Sequence, residues 1–175
     1  MSLFTKEKKK SNQEIVENII LEKYNQYYRL AYSYVHNDAD ACDIVQNGAY
    51  RAIKNSYTLR QPEFAETWVY RIMLNEIFRH IKQPTFLSYE AILEAGDKDA
   101  DSKEDQYTNI DLQRALDGLS DTDKAIVVLR FFEDKKIEEI ALILGENVNT
   151  VKSRLYRSMK KLRITFSDDI HQNTV

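Results

Sequence analysis

Glycine, proline and cysteine are all scarce in this sequence. Its 175 residues include four glycines, two prolines and a single cysteine, Cys42. Because turns depend heavily on glycine and proline, this scarcity predicts long helices rather than many short strands. One cysteine cannot form an intramolecular disulfide, which excludes a small secreted framework held together by disulfides.

Long apolar runs are lacking as well. No stretch approaches the roughly 18 apolar residues of a membrane-spanning helix. Lysines are frequent in the N-terminal segment 1–14, but no apolar run follows them, so the segment is not a signal peptide. No segment repeats at a period of about 20–50 residues, which excludes a solenoid. We therefore expect a soluble, cytoplasmic protein.

The two signs of charge are nearly balanced overall but unevenly distributed. Charged residues make up 30% of the chain, and the formal net charge is -3. Residues 150–163, however, contain six lysines or arginines and no acidic residue. A basic cluster inside a mildly acidic chain predicts a local contact with nucleic acid that the net charge conceals. The alternative is that this basic face is simply the solvated side of a helix.

Apolar residues recur at three- and four-residue steps along most of the chain, which is the spacing of amphipathic helices. We expect helices at 13–35, 38–55, 64–83, 110–119, 120–132 and 137–145, and a last one after 149. Asp38 or Asp40 is suited to cap the second helix. Ser120 and Asp123 have the spacing of a capping box at the start of the fifth helix. No segment alternates apolar and polar residues, so no sheet is predicted.

A change of composition separates the two halves of the chain. Residues 94–106 contain six acidic residues, two lysines and no large apolar side chain. Such a segment cannot bury enough apolar surface to offset its ordering entropy, so we interpret it as a linker. The predicted fold is all-α, with two small helical domains at 13–84 and 109–166 joined by an acidic linker at 85–108. Residues 86–93 are either a short helix or a docking segment.

The C-terminal domain is predicted to contain a helix-turn-helix. Ala141 is small enough for two helices to cross closely at its position. Gly145 follows four residues later and can take the left-handed conformation that the turn requires. Val151 then packs the second helix onto the first.

The second helix of this pair has a polar, basic outer face. At about 100° per residue, its apolar positions fall together on the opposite side, and these are Val151, Leu155, Met159 and Leu162, with Ser158 among them. Polar side chains on the outer face can reach base edges in a major groove, and the flanking cations are suited to phosphates. The predicted DNA-contacting residues are Asn149, Thr150, Lys152, Ser153, Arg154, Tyr156, Arg157 and Lys160.

Three stretches of the chain resemble a known family. One is "LDGLSDTDKAIVVLRFFEDKKIEEIALILGENVNTVKSRLYRSMKKLR" at 116–163, which resembles the C-terminal promoter-binding domain of bacterial sigma factors of the extracytoplasmic-function (ECF) group. The others are "YRLAYSYVHNDADACDIVQNGAYRAIKN" at 28–55 and "FAETWVYRIMLNEIFRHIK" at 64–82, which resemble that group's first conserved domain. The stretches cover most of the chain in the family's order.

The resemblance implies a protein that binds core RNA polymerase and directs it to promoters for transcription initiation. It implies no catalysis by this chain, no cofactor and no small-molecule substrate. It also implies control by an anti-sigma factor, which in this group is often membrane-bound. The outer face of the last helix would recognise the upstream promoter element.

The resemblance also implies roles for residues of the N-terminal half. The "DIVQ" stretch would dock on a coiled coil of the polymerase, with Asp43, Gln46 and Asn47 as the contact residues. The loop before the third helix would capture a base flipped out of the downstream promoter element. The residues expected at that element are Tyr57, Arg60, Gln61, Phe64, Arg71, Asn75 and Arg79. Trp68 is expected first of all in the core, because an amphipathic helix buries its large aromatic side chains.

Catalytic and metal chemistry is not indicated. The three histidines, His36, His80 and His171, have no partner at metal-ligand spacing, and there is no glycine-rich phosphate loop. The acidic segment 97–108 lacks the glycine and the final glutamate of a calcium-binding loop. Cys42 has neither a basic nor a histidine neighbour that would activate it. The sequence therefore predicts neither an enzyme nor a metalloprotein.

Two other classes of protein compete with the sigma-factor interpretation. A stand-alone helix-turn-helix regulator would bind promoter DNA without delivering polymerase, but it would need a ligand-binding or dimerisation domain in its first half. A helical adaptor would bind only protein and would not need a one-sided basic helix.

Overall fold

The protein's computed structural model describes residues 2–83 and 103–172, with side-chain surroundings defined at 11–83 and 110–163. These residues form seven α-helices and no strand, so the all-α prediction is confirmed. The helices are α1 (Ser2–Val35), α2 (Asp38–Lys54), α3 (Ala65–Lys82), α4 (Lys103–Asp117), α5 (Asp121–Phe131), α6 (Ile137–Leu144) and α7 (Val148–Gln172). None of the described helices is long and apolar enough to cross a membrane.

The N-terminal domain is a bundle of α1, α2 and α3. Their facing stripes supply its core, in which the largest fully buried side chains include Tyr27, Leu30, Ile44, Tyr70 and Met73. Lys23 has non-helical backbone angles, so α1 is kinked there. Gly48 lies where α2 meets α3, and a Cβ at this position would overlap the sulfur of Met73. The absence of a side chain at Gly48 therefore lets the two helices approach closely.

The junction between α1 and α2 corrects one sequence-based prediction. The N-cap of α2 is Asn37 rather than Asp38 or Asp40, and its side chain accepts a hydrogen bond from Asp40 N at 3.0 Å. His36 ends α1 with a φ of 51°, and Asn37 is then extended, which brings its side-chain oxygen to the first turn of α2. The two aspartates lie in that first turn, where the positive end of the helix dipole favours them.

The C-terminal domain consists of α4 to α7. Ser120 caps α5 as predicted, its hydroxyl accepting from Asp123 N at 3.3 Å. Helix α4 begins at Lys103 rather than near 110, so the helical part of this domain extends into the predicted linker. Residues 84–102, which hold the rest of that linker and the undecided segment 86–93, lie outside the described residues.

The predicted inner face of α7 is correct except at one position. Val151, Ser158 and Leu162 are buried and Leu155 is half-buried. Met159 is 40% exposed, because Ser158 takes the central inward position and leaves its neighbour at the rim. The Ser158 hydroxyl donates to Arg154 O at 2.8 Å, so this buried polar group is satisfied within the helix.

The two domains contact each other, chiefly where α6 packs against α3. Buried apolar residues of the C-terminal domain, among them Ile140, Ile143 and Leu129, form one continuous cluster with those of the N-terminal domain. Hydrogen bonds and ion pairs surround this apolar contact.

Candidate nucleic-acid interface

The helix-turn-helix is formed by α6 and α7. Helix α6 ends at Gly145, whose φ of 68° is the left-handed conformation predicted for the turn. The Gly145 N–H donates to the carbonyl of Ala141. Ala141 is 4% exposed and Val151 is fully buried. All three residues singled out by their spacing therefore take the structural roles expected of them.

Asn147 fixes the start of α7, which sequence reasoning missed. Its side-chain oxygen accepts from Asn149 N at 2.8 Å, and its carbonyl accepts from Val151 N at 3.0 Å. An asparagine directly before a helical stretch is a capping signal that could have identified this residue. The cap determines where the first turn of α7 begins, and therefore which side chains stand at its N-terminal end.

The outer face of α7 is exposed over most of its predicted length. Seven predicted residues are exposed, namely Asn149, Thr150, Lys152, Ser153, Tyr156, Arg157 and Lys160. Tyr156 is 75% exposed, which is unusual for an aromatic side chain without a partner surface. Ser153 donates to Asn149 O at 2.9 Å, so its hydroxyl is turned towards its own helix. This surface presents donors and cations in one accessible row.

Arg154 differs from these residues. It is half-buried, and its guanidinium pairs with Asp123 at 2.9 Å and with Glu146 at 3.4 Å. These pairs connect α7 to the first turn of α5 and to the turn after α6. Arg154 therefore holds the helix-turn-helix together, whereas the sequence had grouped it with the DNA-contacting residues.

The loop between α2 and α3 is held in place by a residue that the sequence did not indicate. Asn12 of α1 is buried, and its side-chain nitrogen donates to Ser56 O at 3.3 Å and to Leu59 O at 2.9 Å. A second pair of bonds closes the loop, since Thr58 N donates to Asn55 O and Leu59 N donates to Ser56 O. The backbone of this loop is thus fixed, while the side chains of Tyr57, Arg60 and Gln61 remain exposed.

A cavity of about 400 Å³ opens beside this loop. Four predicted downstream-element residues, Arg60, Gln61, Phe64 and Arg71, line it together, and half-buried Trp68 joins them. The remaining lining residues are Thr58, Leu59, Thr67 and Leu142. Aromatic and guanidinium planes beside amide groups are suited to hold an unstacked base.

The other three downstream candidates lie outside this cavity lining. Tyr57 is exposed on the loop, and Asn75 is exposed further along α3. Arg79 pairs with Glu76, a buried carboxylate that Arg51 also contacts at 2.5 Å. Arg79 therefore neutralises a buried charge of its own domain, which restricts its freedom to bind DNA.

One wall of the cavity comes from the other domain. Leu142 of α6 lines it, and Arg71 donates to the backbone carbonyls of Leu142 at 2.5 Å and of Ile143 at 3.2 Å. Carbonyls at a helix C-terminus lack partners within the helix and carry partial negative charge, so a guanidinium is well placed there. Sequence reasoning could not have found this contact, because it joins residues of separate domains.

A polar cluster accompanies that contact. Glu66 of α3 pairs with Lys135 of the C-terminal domain, and Glu133 pairs with Arg29 of α1 at 3.4 Å. Burial raises the pKa of the Glu133 carboxyl, although the Arg29 guanidinium works against this. Burial likewise raises the pKa of the Tyr27 hydroxyl, which has no hydrogen-bond partner among the described residues.

The predicted polymerase-contacting residues share one exposed face of α2. Asp43, Gln46 and Asn47 are all exposed, and the intervening residues Ile44 and Val45 are buried. One turn further, Tyr50 is 64% exposed and extends the same surface. Tyr50 was not among the residues predicted for this contact, although its spacing of three and four residues from Asn47 and Gln46 would have indicated it.

Metal-ligating residues are not clustered in the described parts of the chain. No group of three or more histidine, cysteine, aspartate or glutamate side chains there could hold a metal ion. Cys42 is a half-buried free thiol.

Two family models match the chain, one in each domain. The Sigma-70 region 2 model matches residues 19–85, and the Sigma-70 region 4 model matches residues 109–162. The first range contains the α2 face and the cavity, and the second contains the helix-turn-helix.

Two sigma factors match over 93% of this chain, and a third matches over 84%. The RNA polymerase sigma factor SigV of Bacillus subtilis (strain 168) is 41% identical over 167 residues, covering 93% of this chain and 97% of the relative. The ECF RNA polymerase sigma factor SigW of the same organism is 27% identical, and the alignment covers 93% of this chain and 95% of that protein. The ECF RNA polymerase sigma factor SigE of Mycolicibacterium smegmatis is 31% identical, with 84% of this chain and 60% of that protein covered.

Solved structures share the fold at low sequence identity. CnrH in complex with the cytosolic domain of CnrY aligns with a TM-score of 0.70 at 18% identity, covering 94% of this chain and 96% of that one. The sigma factor RpoE of Bartonella quintana, in complex with the anti-sigma factor NepR, aligns with a TM-score of 0.66 at 19% identity. The alignment covers 86% of this chain and 96% of that one. The two family models and the sigma-factor relatives show that the chain belongs to the extracytoplasmic-function (ECF) subfamily of bacterial RNA polymerase sigma factors.

Proposed function

We propose that this chain binds core RNA polymerase in the cytoplasm and directs it to specific promoters, catalysing no reaction itself. The observation that carries the proposal is the helix-turn-helix, whose second helix exposes a row of cations and polar side chains from Asn149 to Lys160. A major groove admits such a helix, and arginine donates well to the acceptor edge of guanine. The match of both domains to sigma-factor models, in the same order, supports delivery of polymerase rather than DNA binding alone.

The upstream promoter element is assigned to the outer face of α7. Arg157 and Lys152 are the candidates for donating to guanine, since both are exposed. Asn149, Ser153 and Tyr156 offer further polar contacts on the same face. Because Arg154 is paired with Asp123 and Glu146, we assign it to stabilising the domain rather than to contacting DNA.

The downstream promoter element is assigned to the cavity beside the α2–α3 loop. Removing a base from a duplex costs a few kcal/mol, and stacking on aromatic or guanidinium planes offsets this cost. Phe64 and Arg60 are the candidates for stacking, and Gln61 is the candidate for hydrogen bonding to the base edge. Their shared lining of one cavity supports this assignment.

The polymerase contact is assigned to the exposed face of α2. Asp43, Gln46 and Asn47 form its centre, and Tyr50 extends it by one turn. An exposed tyrosine beside polar side chains is typical of a surface that binds protein.

Control by an anti-sigma factor is also part of the proposal. RpoE of Bartonella quintana is a structural neighbour that was solved with an anti-sigma factor. In this chain a largely apolar groove of about 250 Å³ bridges the domains, lined by Tyr28 and Tyr32 of α1 and by Leu112, Leu116 and Phe132 of the C-terminal domain. A segment bound there would contact both domains at once.

Run-off transcription tests the proposed function. Purified core RNA polymerase is incubated with a library of genomic promoter fragments, with and without this protein. We expect specific transcripts that appear only when the protein is present. DNA binding without any new transcript would contradict the proposal and would indicate a stand-alone helix-turn-helix regulator.

The polymerase contact has its own test. The double substitution Asp43→Ala with Gln46→Ala is expected to reduce co-purification with core polymerase while the helical content is unchanged. The matched control is Glu14→Ala with Asn18→Ala, which removes an acid and an amide from another exposed helical face. Equal co-purification of both double variants would place the polymerase contact elsewhere.

A further inference from the structure

A buried carboxylate lies beneath two arginines where α2 meets α3. Glu76 of α3 is 6% exposed, and its Oε1 pairs with Arg51 Nε of α2 at 2.5 Å and with the guanidinium of Arg79 on its own helix. Gly48, three residues before Arg51 on the same face of α2, has no side chain, so the two helices lie close enough for Arg51 to reach this oxygen. Two guanidiniums from different helices thus share one acceptor atom.

The charges of this cluster do not balance. One arginine is enough to pair a buried carboxylate, and the second leaves one positive charge in surplus and adds repulsion between like charges. The side chains of Arg51 and Arg79 are 48% and 42% exposed, so the surplus charge faces solvent. An anion bound by both would relieve the repulsion, and guanidiniums bind phosphate through paired, charge-assisted hydrogen bonds.

The position of the cluster favours DNA as the source of that phosphate. Asn75, a residue predicted to contact the downstream element, is exposed on α3 four residues before Arg79, so the two side chains share a face. Arg51 reaches towards α3, on the side of α2 that packs there, rather than joining the α2 face assigned to the polymerase. The cluster therefore extends the downstream surface, although Arg51 was not among the residues predicted for it.

We propose that Glu76 is a positioning residue for DNA binding, whose carboxylate holds Arg51 and Arg79 together as one site for a single backbone phosphate. The proposal rests on the proposed function, which assigns the downstream element to this part of the protein. Long side chains lose conformational freedom when they bind, and a shared carboxylate removes part of that cost before the phosphate arrives. The pairing that restricts Arg79 thus prepares it for one particular contact.

Glu76→Gln separates positioning from simple electrostatics, because the two predict changes of opposite sign. The substitution keeps the size of the side chain and removes its negative charge. A less acidic protein should bind DNA more tightly by electrostatics alone. If Glu76 positions the two arginines, they move apart in the variant, and affinity should instead fall by about threefold to tenfold. The matched control, Glu22→Gln, removes the same charge from an exposed position of α1 and should not weaken binding.

The experiment uses the full-length chain and a fluorescent pool of single-stranded DNA of random sequence, with affinity measured at several salt concentrations. Loss of one phosphate contact should reduce the slope of log affinity against log salt concentration by about 0.7. Glu76→Gln and the double variant Arg51→Gln with Arg79→Gln should both show this reduction. Circular dichroism verifies that each variant retains its helices, and co-purification and run-off transcription with core polymerase are measured in parallel.

Two further variants exclude a merely structural role for Glu76. When Arg51 and Arg79 are both replaced by glutamine, adding Glu76→Gln should cause no further loss of affinity, whereas a structural role would lower affinity in either background. Arg51→Lys changes only an exposed residue and keeps its charge, but lysine lacks the planar fork of arginine, so affinity should fall here too.

The outcomes separate this site from the proposed function. Wild-type affinity and salt slope in Glu76→Gln or in Arg51→Lys, in a protein that supports promoter-specific transcription, would overturn the phosphate site alone. Weaker co-purification with core polymerase at an unchanged salt slope would assign the arginines to the polymerase and would also overturn it. A wild-type protein that yields no promoter-specific transcript would instead overturn the proposed function, and the salt slopes would still decide whether the phosphate site exists.

Discussion

The two regions proposed to contact DNA differ in how they are built and in how accessible they are. The upstream surface is one face of one helix, α7, and its residues from Asn149 to Lys160 stand exposed. The downstream surface is a cavity assembled from a loop, from α3 and from Leu142 of the other domain. The upstream surface is set mainly by where α7 begins, whereas the shape of the downstream cavity depends on tertiary contacts at several points.

This difference predicts unequal sensitivity to substitution. When one residue on a single-helix surface is substituted, only its own contact is lost. The other side chains of that surface keep their positions. A cavity assembled from several elements can be lost as a whole when one supporting contact is removed. Substitutions at Asn12 and at Arg157 separate these two behaviours.

The largest effect is expected at Asn12, the support of the downstream loop. Asn12→Ala removes the two hydrogen bonds to the carbonyls of Ser56 and Leu59. The Leu59 carbonyl then has lost its buried donor, and the Ser56 carbonyl keeps only its bond from Leu59 N, so the free energy of unfolding should fall by about 2–4 kcal/mol. Thermal denaturation measures this loss, and binding of single-stranded oligonucleotides should fall with it.

The neighbouring exposed residue provides the control for Asn12. Gln13→Ala removes only a surface bond to Glu17 and should leave both readouts near wild type. Duplex binding through α7 should be unaffected in either variant. Equal effects of the two substitutions would show that the loop does not depend on Asn12.

An effect on binding without a loss of stability is expected at Arg157 of the upstream surface. Arg157 is exposed, and its guanidinium donates to the Ser153 carbonyl of its own helix at 3.4 Å. Arg157→Ala should weaken binding to the upstream element by about 1–3 kcal/mol if the residue donates to a guanine. Competition between promoter fragments in run-off transcription measures this, and unchanged selectivity would remove Arg157 from the DNA-contacting residues.

The same contrast explains which features could be predicted from the sequence. Helix positions followed from apolar spacing, and the turn followed from Ala141, Gly145 and Val151, because these signals are local. The exposed face of α7 followed from helical periodicity for the same reason. The contact from Arg71 to the end of α6 and the support from Asn12 could not be predicted, since each joins residues that are distant in sequence.

Local signals are ambiguous where two roles compete for one residue type. Arg154 lies among the cations of α7 and was grouped with them, yet Asp123 and Glu146 lie close enough to pair with it. Composition cannot distinguish a cation that binds DNA from one that is paired within its own domain. Only the positions of the two carboxylates make that distinction.

The smallest effect is therefore expected from Arg154→Ala. This substitution tests whether α7 carries cations of both kinds, those that contact DNA and those that are paired within the domain. Loss of a half-buried, two-partner ion pair should lower the free energy of unfolding by about 1 kcal/mol. Arg157→Ala removes the same charge from the same helix and should leave stability unchanged. If Arg154→Ala instead lowered promoter selectivity at full stability, Arg154 would belong with the DNA-contacting residues. Its ion pairs would then not distinguish it from the other cations of α7.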